Sequence, residues 1–232
     1  MALSDFGGFV NAFLLVFAGL FPIVNPVGNA PIFLRLSQHA AKERQALAAA
    51  ISLNGFFLLL GSLFIGSHVL EFFGITLPIV RIAGGLVVAA FGWNLLHSEE
   101  GSQAQRSASD NAPGETIDAF YPLTMPLTVG PGSISVAVTL GSQRPGGAND
   151  YGQLAMLGGG AVAGLLAVAA TIYVSYAFAE RIVGTLGERG TNIVTRLSAF
   201  ILFCLGIQII WNGYNSLLSI SVYLPRAPIV PS

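Results

Sequence analysis

Two proline-rich stretches carry the residues of this sequence that are best suited to hold a small polar ligand. The first, residues 21–31, contains three prolines, a glycine and two asparagines, and the second, residues 121–132, repeats the three prolines at the same spacing one hundred positions later. Amide and hydroxyl side chains supply neutral hydrogen-bond donors and acceptors, and glycine lets a ligand approach the backbone. The predicted binding residues are Asn25, Gly28, Asn29, Thr124, Thr128, Gly130, Gly132 and Ser133.

Both stretches interrupt long apolar runs, and this limits what they can be. Proline removes a backbone donor and clashes with the preceding helical turn, so neither stretch is a continuous helix. A break exposes the positive N-terminal end of the half-helix that follows, which suits a carboxylate. The free carbonyls before the break suit Na⁺ or an ammonium group. The alternative is that the prolines only kink two helices, but two matching breaks favour a binding site.

The composition predicts an integral membrane protein. Hydrophobic residues make up 53% of the chain and charged residues 9%, whereas soluble domains carry about 25% charged residues. The net charge of -1 excludes the basic surface that a nucleic-acid partner would need. We therefore expect the lipid bilayer, and no nucleic acid, as a partner. A lone cysteine and scattered histidines predict no metal site.

The predicted fold class is all-α, with six transmembrane helices. Each apolar segment is close to the roughly 20 residues that cross a bilayer. The segments are residues 6–34, 44–67, 77–97, 117–140, 153–179 and 192–218. The polar linker 98–116 separates a first three-helix repeat, residues 1–97, from a second, residues 117–232, within one membrane domain. The first helix of each repeat contains the proline break.

Further matches in the same order support an internal duplication. Glu71 in the second segment corresponds to Glu180 in the fifth, and Arg81 in the third corresponds to Arg196 in the sixth. Because each repeat crosses the membrane an odd number of times, the two repeats are predicted to be inverted. In many transporters built this way, the substrate binds where broken helices meet near the midplane.

Basic residues are more frequent in the connections on one side of the predicted membrane domain. That side carries Arg35, Lys42, Arg44, Arg106, Arg181 and Arg189, and the other carries Arg81, Arg144 and Arg226. The positive-inside rule makes the first side cytoplasmic. Both termini are therefore predicted to lie outside the cytoplasm.

Three further polar residues lie within apolar segments and are candidates for a gating or structural role. Arg81 and Arg196 could neutralise an anionic group or hold helix-end carbonyls, since an ionisable group inside a membrane segment is a functional candidate. The other reading is that both arginines snorkel to the interface. Asn54 lies deeper, as a cavity-lining residue or as a hydrogen-bond partner between helices.

The sequence offers no nucleophile with a base at a credible spacing, so no catalytic residue, cofactor or enzymatic activity is predicted. The apolar interiors also contain no Asp or Glu. Proton-coupled carriers usually keep an embedded carboxylate or histidine relay. Na⁺ coupling through carbonyls and hydroxyls, or an uncoupled carrier, is the easier reading to support.

At these same residues the sequence resembles the MarC (UPF0056) family. The resemblance is carried by residues 25–31, NPVGNAP, and residues 126–135, PLTVGPGSIS, and it extends over essentially the whole chain. The family comprises inner-membrane proteins of bacteria and archaea, and its SnatA-type members transport the neutral amino acids glycine and alanine. The resemblance implies a multi-pass protein of the cytoplasmic membrane that carries small amino acids, with both broken helices at the substrate.

The leading hypothesis is a secondary transporter of a small zwitterion, such as glycine or alanine, that works by alternating access. One half-helix N-terminus would hold the carboxylate, and carbonyls with Asn or Thr would hold the ammonium group. The alternatives are an uncoupled exporter or channel for small solutes, and a membrane accessory protein with no transported substrate. The sequence leaves the oligomeric state open, a homo-oligomer included.

Overall fold

The described residues of the computed structural model are 2–97, 118–142 and 151–223, and they form helices without a strand. The α-helices of these residues are α1 Ala2–Val24, α2 Pro26–Leu36, α3 Arg44–Phe72, α4 Leu77–His97, α5 Pro131–Ser142, α6 Tyr151–Ala177 and α7 Ala179–Tyr223, and α7 is kinked at Gly187. A short 3₁₀ helix, Gln38–Glu43, joins α2 to α3. The helical turns of Ala119–Thr128, here called the irregular segment, precede α5. The predicted linker 98–116 and the loop residues Arg106, Arg144 and Arg226 lie outside the described residues.

Five stretches of these helices are long and apolar enough to cross a membrane. They are Gly7–Val24, Ala40–Phe72, Leu77–His97, Ala155–Ala177 and Arg189–Leu218. The irregular segment and α5 are bent by 69° at their break, and together they form either a sixth span or a re-entrant loop. The prediction of an all-helical, multi-pass fold is confirmed. The count of six spans and the inversion of the repeats stay predictions.

Large apolar side chains cover the outer faces of these helices. Phe57 on α3, Phe200 and Trp211 on α7 and Leu166 on α6 are all exposed. A soluble protein would bury most such side chains, whereas a bilayer solvates them. The outer surface is therefore suited to lipid.

Glycines set how closely the helices approach each other. On α4, Gly85 lies against Ile210 and Gly92 lies against Ala199 of α7, so the two helices run antiparallel. On α6, Gly160 and Gly164 lie against the carbonyl groups of residues 9 and 13, so α1 and α6 run parallel. Small residues at such crossings let helix backbones pack directly, and this packing is one of the contributions that drive helix association in lipid.

Gly92→Ala is expected to destabilise the α4–α7 pair. A Cβ at Gly92 would lie 2.6 Å from the backbone nitrogen of Phe203 and 2.8 Å from the carbonyl oxygen of Ala199. Because both obstacles are backbone atoms, they cannot move aside, and overpacking of this kind costs about 1–3 kcal/mol. We expect a lower thermal unfolding midpoint for Gly92→Ala in detergent. Gly158→Ala is the matched control, since a Cβ at Gly158 would meet nothing within 4 Å; equal midpoints for the two variants would contradict this packing.

Candidate functional site

The first break lies at Asn25, between α1 and α2. Asn25 has a left-handed backbone (φ 45, ψ 55), and its side-chain oxygen accepts a hydrogen bond from the Gly28 N–H at 3.3 Å. Asparagine tolerates this conformation and is a preferred N-cap residue, and proline suits the first helical position that Pro26 occupies. A Cβ at Gly28 would overlap the Asn25 amide. The order Asn-Pro-x-Gly thus ends one helix and starts the next.

The second break is built differently. Tyr121 and Met125 have extended backbones inside the irregular segment, and each precedes a proline, which disfavours the helical conformation for the residue before it. The N–H of Val129 donates to the carbonyl of Thr124 at 2.8 Å. After Gly130, α5 begins at Pro131. The chain therefore changes direction over residues 128–131 and starts a new helix there.

Asn29 joins the two breaks. Its side chain is 2% exposed, and its amide nitrogen donates to the carbonyl of Val24 at 3.0 Å and to the carbonyl of Leu127 at 3.1 Å. One carbonyl precedes the first break and the other lies in the second. The amide thus satisfies backbone groups that the broken helices leave without partners, as a membrane interior requires.

Two side-chain atoms at the first break have no hydrogen-bond partner among the described residues. They are the amide oxygen of Asn29 and the amide nitrogen of Asn25, and both atoms are buried. Their identities follow from the network, because the other atom of each amide is fixed by a backbone group of known polarity. A buried acceptor and a buried donor without partners each cost about 1–3 kcal/mol. The first break therefore holds unused hydrogen-bonding capacity.

Thr128 connects the second break to α6 through Tyr176. The Thr128 hydroxyl lies 2.8 Å from the carbonyl oxygen of Leu123 and 2.8 Å from the hydroxyl of Tyr176. Because a carbonyl can only accept, Thr128 donates its proton to Leu123, and Tyr176 must donate to Thr128. The side chain of Asn29 lies beside the same tyrosine hydroxyl. Asn29, Thr128 and Tyr176 therefore form one buried polar junction.

A pocket of about 90 Å³ lies directly beside this junction. One wall is the second break and the start of α5, and the other wall is apolar. The lining residues are Ile23, Val87, Val88, Phe91, Pro126, Leu127, Thr128, Gly130, Pro131, Gly132, Ser133 and Leu202. Since one water needs roughly 10–15 Å³ of such volume, the pocket has room for several waters or one small solute.

The polar wall of the pocket offers both hydrogen-bond donors and hydrogen-bond acceptors. The first backbone N–H groups of α5, at Gly132 and Ser133, belong to the helix turn that has no intrahelical acceptors and carries a partial positive charge. The Ser133 hydroxyl donates to the Gly130 carbonyl at 2.9 Å, and the Thr128 hydroxyl donates to Leu123. Both hydroxyls therefore keep only acceptor capacity for a ligand.

The structure brings the predicted binding residues together in two groups. Thr128, Gly130, Gly132 and Ser133 line the pocket. Asn25, Gly28 and Asn29 form the first break beside it, and Asn29 reaches Leu127, which is itself a lining residue. Thr124 is buried and donates to the Ala119 carbonyl at 2.7 Å, so it holds the irregular segment and does not line the pocket.

The candidate gating residues lie away from the pocket lining. Arg81 is half-buried on α4 and donates to the hydroxyl of Ser216 on α7 at 3.0 Å. Arg196 is exposed on α7, and the antiparallel register of α4 and α7 puts it at the opposite end of the pair from Arg81. Asn54 is half-buried on α3, next to Gly55, where α3 approaches the side chain of Val129.

The polar junction lies off-centre along α6. Tyr176 belongs to the last turn of α6, four residues before Glu180, whose carboxylate pairs with Arg44 at the start of α3. One helical turn rises about 5.4 Å, so the junction is roughly one turn from this end of the bundle. The pocket itself extends to Val87 and Val88, halfway along α4.

Tyr176 is the functional candidate that the sequence pattern missed. It is 1% exposed, and its ring stacks on that of Phe33 in α2 with centroids 4.5 Å apart and an interplanar angle of 5°. The only signal in the sequence is a tyrosine near the end of an apolar run. That pattern is also typical of an interfacial tyrosine, so the sequence alone does not separate the two.

Comparison with known proteins identifies the relatives of the chain. The family described as MarC family integral membrane protein matches residues 10–218. UPF0056 membrane protein YvbG of Bacillus subtilis is 30% identical over 205 residues, which are 87% of this chain and 93% of that protein. UPF0056 inner membrane protein MarC of Citrobacter koseri is 31% identical over 84% of this chain and 90% of its own length. UPF0056 membrane protein MJ1677 of Methanocaldococcus jannaschii is 30% identical over 89% of this chain and 97% of its own length. No solved structure gives a significant match.

Proposed function

The chain belongs to the MarC family of integral membrane proteins, and we propose that it is a secondary transporter of small neutral amino acids of the glycine and alanine type. As such a transporter it lies in the cytoplasmic membrane and belongs with the SnatA-type members of the family. The substrate is held between the two broken helices, and access alternates between the two sides of the membrane. The observation that carries the proposal is the bridge from Asn29 to Leu127, because it joins both breaks at the edge of a small pocket.

The arrangement of hydrogen-bond donors and acceptors in the pocket supports a zwitterionic substrate in the orientation we propose. The carboxylate is held by the first N–H groups of α5, at Gly132 and Ser133, where the helix dipole favours negative charge. The ammonium group is held by acceptors, the hydroxyl oxygens of Thr128 and Ser133, whose protons are donated elsewhere. A neutral solute would interact less favourably than a zwitterion with the helix dipole of α5 and with the two hydroxyl acceptors.

The size and the second wall of the pocket support a small apolar side chain on the substrate. The volume of about 90 Å³ is far below the roughly 300–1,000 Å³ of pockets that hold drug-sized ligands. Val87, Val88 and Phe91 of α4 face the polar wall. Glycine and alanine place hydrogen or a methyl group there, whereas a larger side chain would overlap these residues.

Alternating access follows in this proposal from two inverted halves, residues 1–97 and 117–232, that rock against each other. Unused oxygen acceptors in the breaks are the kind of ligand that Na⁺ prefers, so Na⁺ is the coupling ion we propose. The amide oxygen of Asn29, which is buried and has no hydrogen-bond partner among the described residues, is the leading candidate for such an acceptor. Coupling is therefore expected to need the first break as well as the pocket.

Reconstituted protein tests the proposal directly. We expect proteoliposomes to take up labelled glycine and alanine, to take up much less leucine, and to accumulate substrate when Na⁺ is higher outside. Liposomes without protein and a Na⁺-free buffer are the controls. Absence of uptake for every small neutral amino acid under both conditions contradicts the transport function. Uptake that ignores all ion gradients supports an uncoupled carrier instead of Na⁺ coupling.

A further inference from the structure

A continuous series of contacts leads from the pocket to one end of the bundle. The lining residue Thr128 binds the Tyr176 hydroxyl at 2.8 Å, and the Tyr176 ring stacks on Phe33. One turn after Phe33, the hydroxyl of Ser37 donates to the Phe33 carbonyl at 2.8 Å. The carbonyl of Ser37 then accepts from the Arg44 guanidinium at 3.4 Å. Arg44 also pairs with Glu180 of α7, which is the outermost contact of this series.

Exposure along this series rises towards the surface. Thr128, Tyr176, Phe33 and Ser37 are all buried. The Arg44 side chain is 14% exposed and that of Glu180 is 71% exposed. The stacked rings of Tyr176 and Phe33 and the Arg44–Glu180 pair therefore lie in series between Thr128 and the exposed end of the bundle.

Two contacts in this series join the two halves of the chain. Phe33 and Arg44 belong to residues 1–97, and Tyr176 and Glu180 belong to residues 117–232. The stacking of Phe33 on Tyr176 and the pairing of Arg44 with Glu180 both cross between the halves. A rocking motion that separates the halves at this end would break both contacts. The hydrogen bond from Tyr176 to Thr128, by contrast, lies within the second half and ties the closure to the pocket wall.

We infer that Tyr176 is the gating residue at this end of the bundle, with Phe33 as its stacking partner and the Arg44–Glu180 pair as an outer layer. This inference rests on the proposed function, since it assigns a role within an alternating-access cycle. The Tyr176 hydroxyl binds a residue of the pocket wall, so a rearrangement of Thr128 around a ligand changes the closure directly. Tyr176 is a positioning residue, because it acts through Thr128 and Phe33 and does not itself line the pocket.

Thiol accessibility tests the gate without needing a substrate. Cys204 is the lone cysteine of the chain, so Cys204→Ser followed by Ser133→Cys places a single reporter in the pocket. A membrane-impermeant methanethiosulfonate reagent is applied from each side of oriented vesicles. Lys42→Cys, at an exposed position on the Arg44 side, identifies which side is which. Tyr176→Phe keeps the ring and removes only the hydrogen bond to Thr128. Loss of one such bond shifts the equilibrium between the closed and the open gate by about fivefold. We expect labelling from the Arg44 side to rise about fivefold.

Two further variants and a control make the outcome decisive. Tyr176→Leu also removes the stacking and is expected to raise labelling from that side by more than Tyr176→Phe does. Glu180→Gln removes the outer pair at an exposed position and is expected to give a smaller rise. Tyr173→Phe, one turn earlier on α6 and 40% exposed, is expected to change nothing. Unchanged labelling in Tyr176→Phe and Glu180→Gln overturns the gate.

Failure of the gate and failure of the transport function are distinguishable. If the labelling changes as expected while wild-type protein takes up no amino acid, the gate stands and the substrate assignment falls. If uptake is normal and labelling is unaffected by every variant, the transport function stands and Tyr176 has only a packing role. If the Tyr176 variants raise labelling only from the side opposite Arg44, Tyr176 does not close the Arg44 end of the bundle, and the proposed gate is also overturned.

Discussion

Replacing Asn29 by leucine is expected to reduce glycine and alanine uptake by more than about 30-fold while leaving the protein in the membrane. The amide nitrogen of Asn29 is the shared donor to the Val24 and Leu127 carbonyls, one at each break. Leucine has nearly the same shape but no donor, so both buried carbonyls lose a partner at about 1–3 kcal/mol each. A loss of 2 kcal/mol lowers the population of the transport-competent arrangement of the two breaks by about 30-fold, at 1.4 kcal/mol per tenfold change. Uptake is measured in proteoliposomes and normalised to the amount of protein inserted.

The control for Asn29→Leu is the same substitution on the outside of the bundle. Asn212 is exposed on α7, where its side chain accepts from Gln208 at 3.0 Å. Asn212→Leu is expected to insert and transport like wild type. Asn29→Gln keeps the amide but displaces it by one methylene, and it should also lose most uptake. If both Asn29 variants insert and transport normally, the bridge between the breaks has no role in transport and the prolines only kink the helices.

Thr128→Val tests the same junction from the second break. Valine matches threonine in shape, but it neither donates to the Leu123 carbonyl nor accepts from Tyr176. It also removes the acceptor proposed for the ammonium group, so we expect the KM for glycine to rise and maximal uptake to fall. Thr171→Val on α6 is matched to it, because the Thr171 hydroxyl donates only to the Val168 carbonyl of its own helix. A similar loss in both variants would assign the effect to helix stability.

The breaks could be predicted from the sequence because their causes are local. Pro26 and Pro131 are each the first residue of a helix, and Asn25 caps α2 with its own side chain. Apolar surroundings then require the exposed backbone groups to face protein, whatever the arrangement of the helices. The sequence predicts Asn29 as a binding residue because its amide offers a neutral donor and acceptor. It does not predict the bond to the Leu127 carbonyl, because Leu127 comes from a different part of the chain.

The closure at Tyr176 could not be predicted because it depends on helix packing. A tyrosine near the end of an apolar run is typical of the membrane interface. Only the packing of α6 against α2 and the irregular segment buries this one against Phe33 and Thr128. The two arginines show that matching positions in the sequence do not guarantee matching contacts. Arg81 and Arg196 match in sequence position, but one binds Ser216 and the other is exposed, so the match in sequence did not predict a match in contacts.

Shortening Phe91 to alanine is expected to widen the range of amino acids that the protein transports. Phe91 is half-buried on the apolar wall of the pocket, opposite the start of α5. If the substrate side chain points at this wall, removing the ring makes room for valine or leucine. A hydrophobic pocket discriminates by about 10–200-fold per methylene. We therefore expect the ratio of leucine to glycine uptake to rise at least about tenfold, with Phe91→Leu intermediate.

The direction of the change in each substrate separates a specificity effect from a general defect. Glycine fills the enlarged pocket poorly, so its KM should rise while the rate for leucine rises from background. Destabilisation alone would lower both rates together. Phe200→Ala removes the same ring from the exposed face of α7, near the lining residue Leu202, and should leave the ratio unchanged. If Phe91→Ala transports glycine normally and still rejects valine and leucine, the substrate side chain does not contact this wall. The orientation proposed here, with the carboxylate at α5 and the side chain towards α4, would then be wrong even though the protein transports.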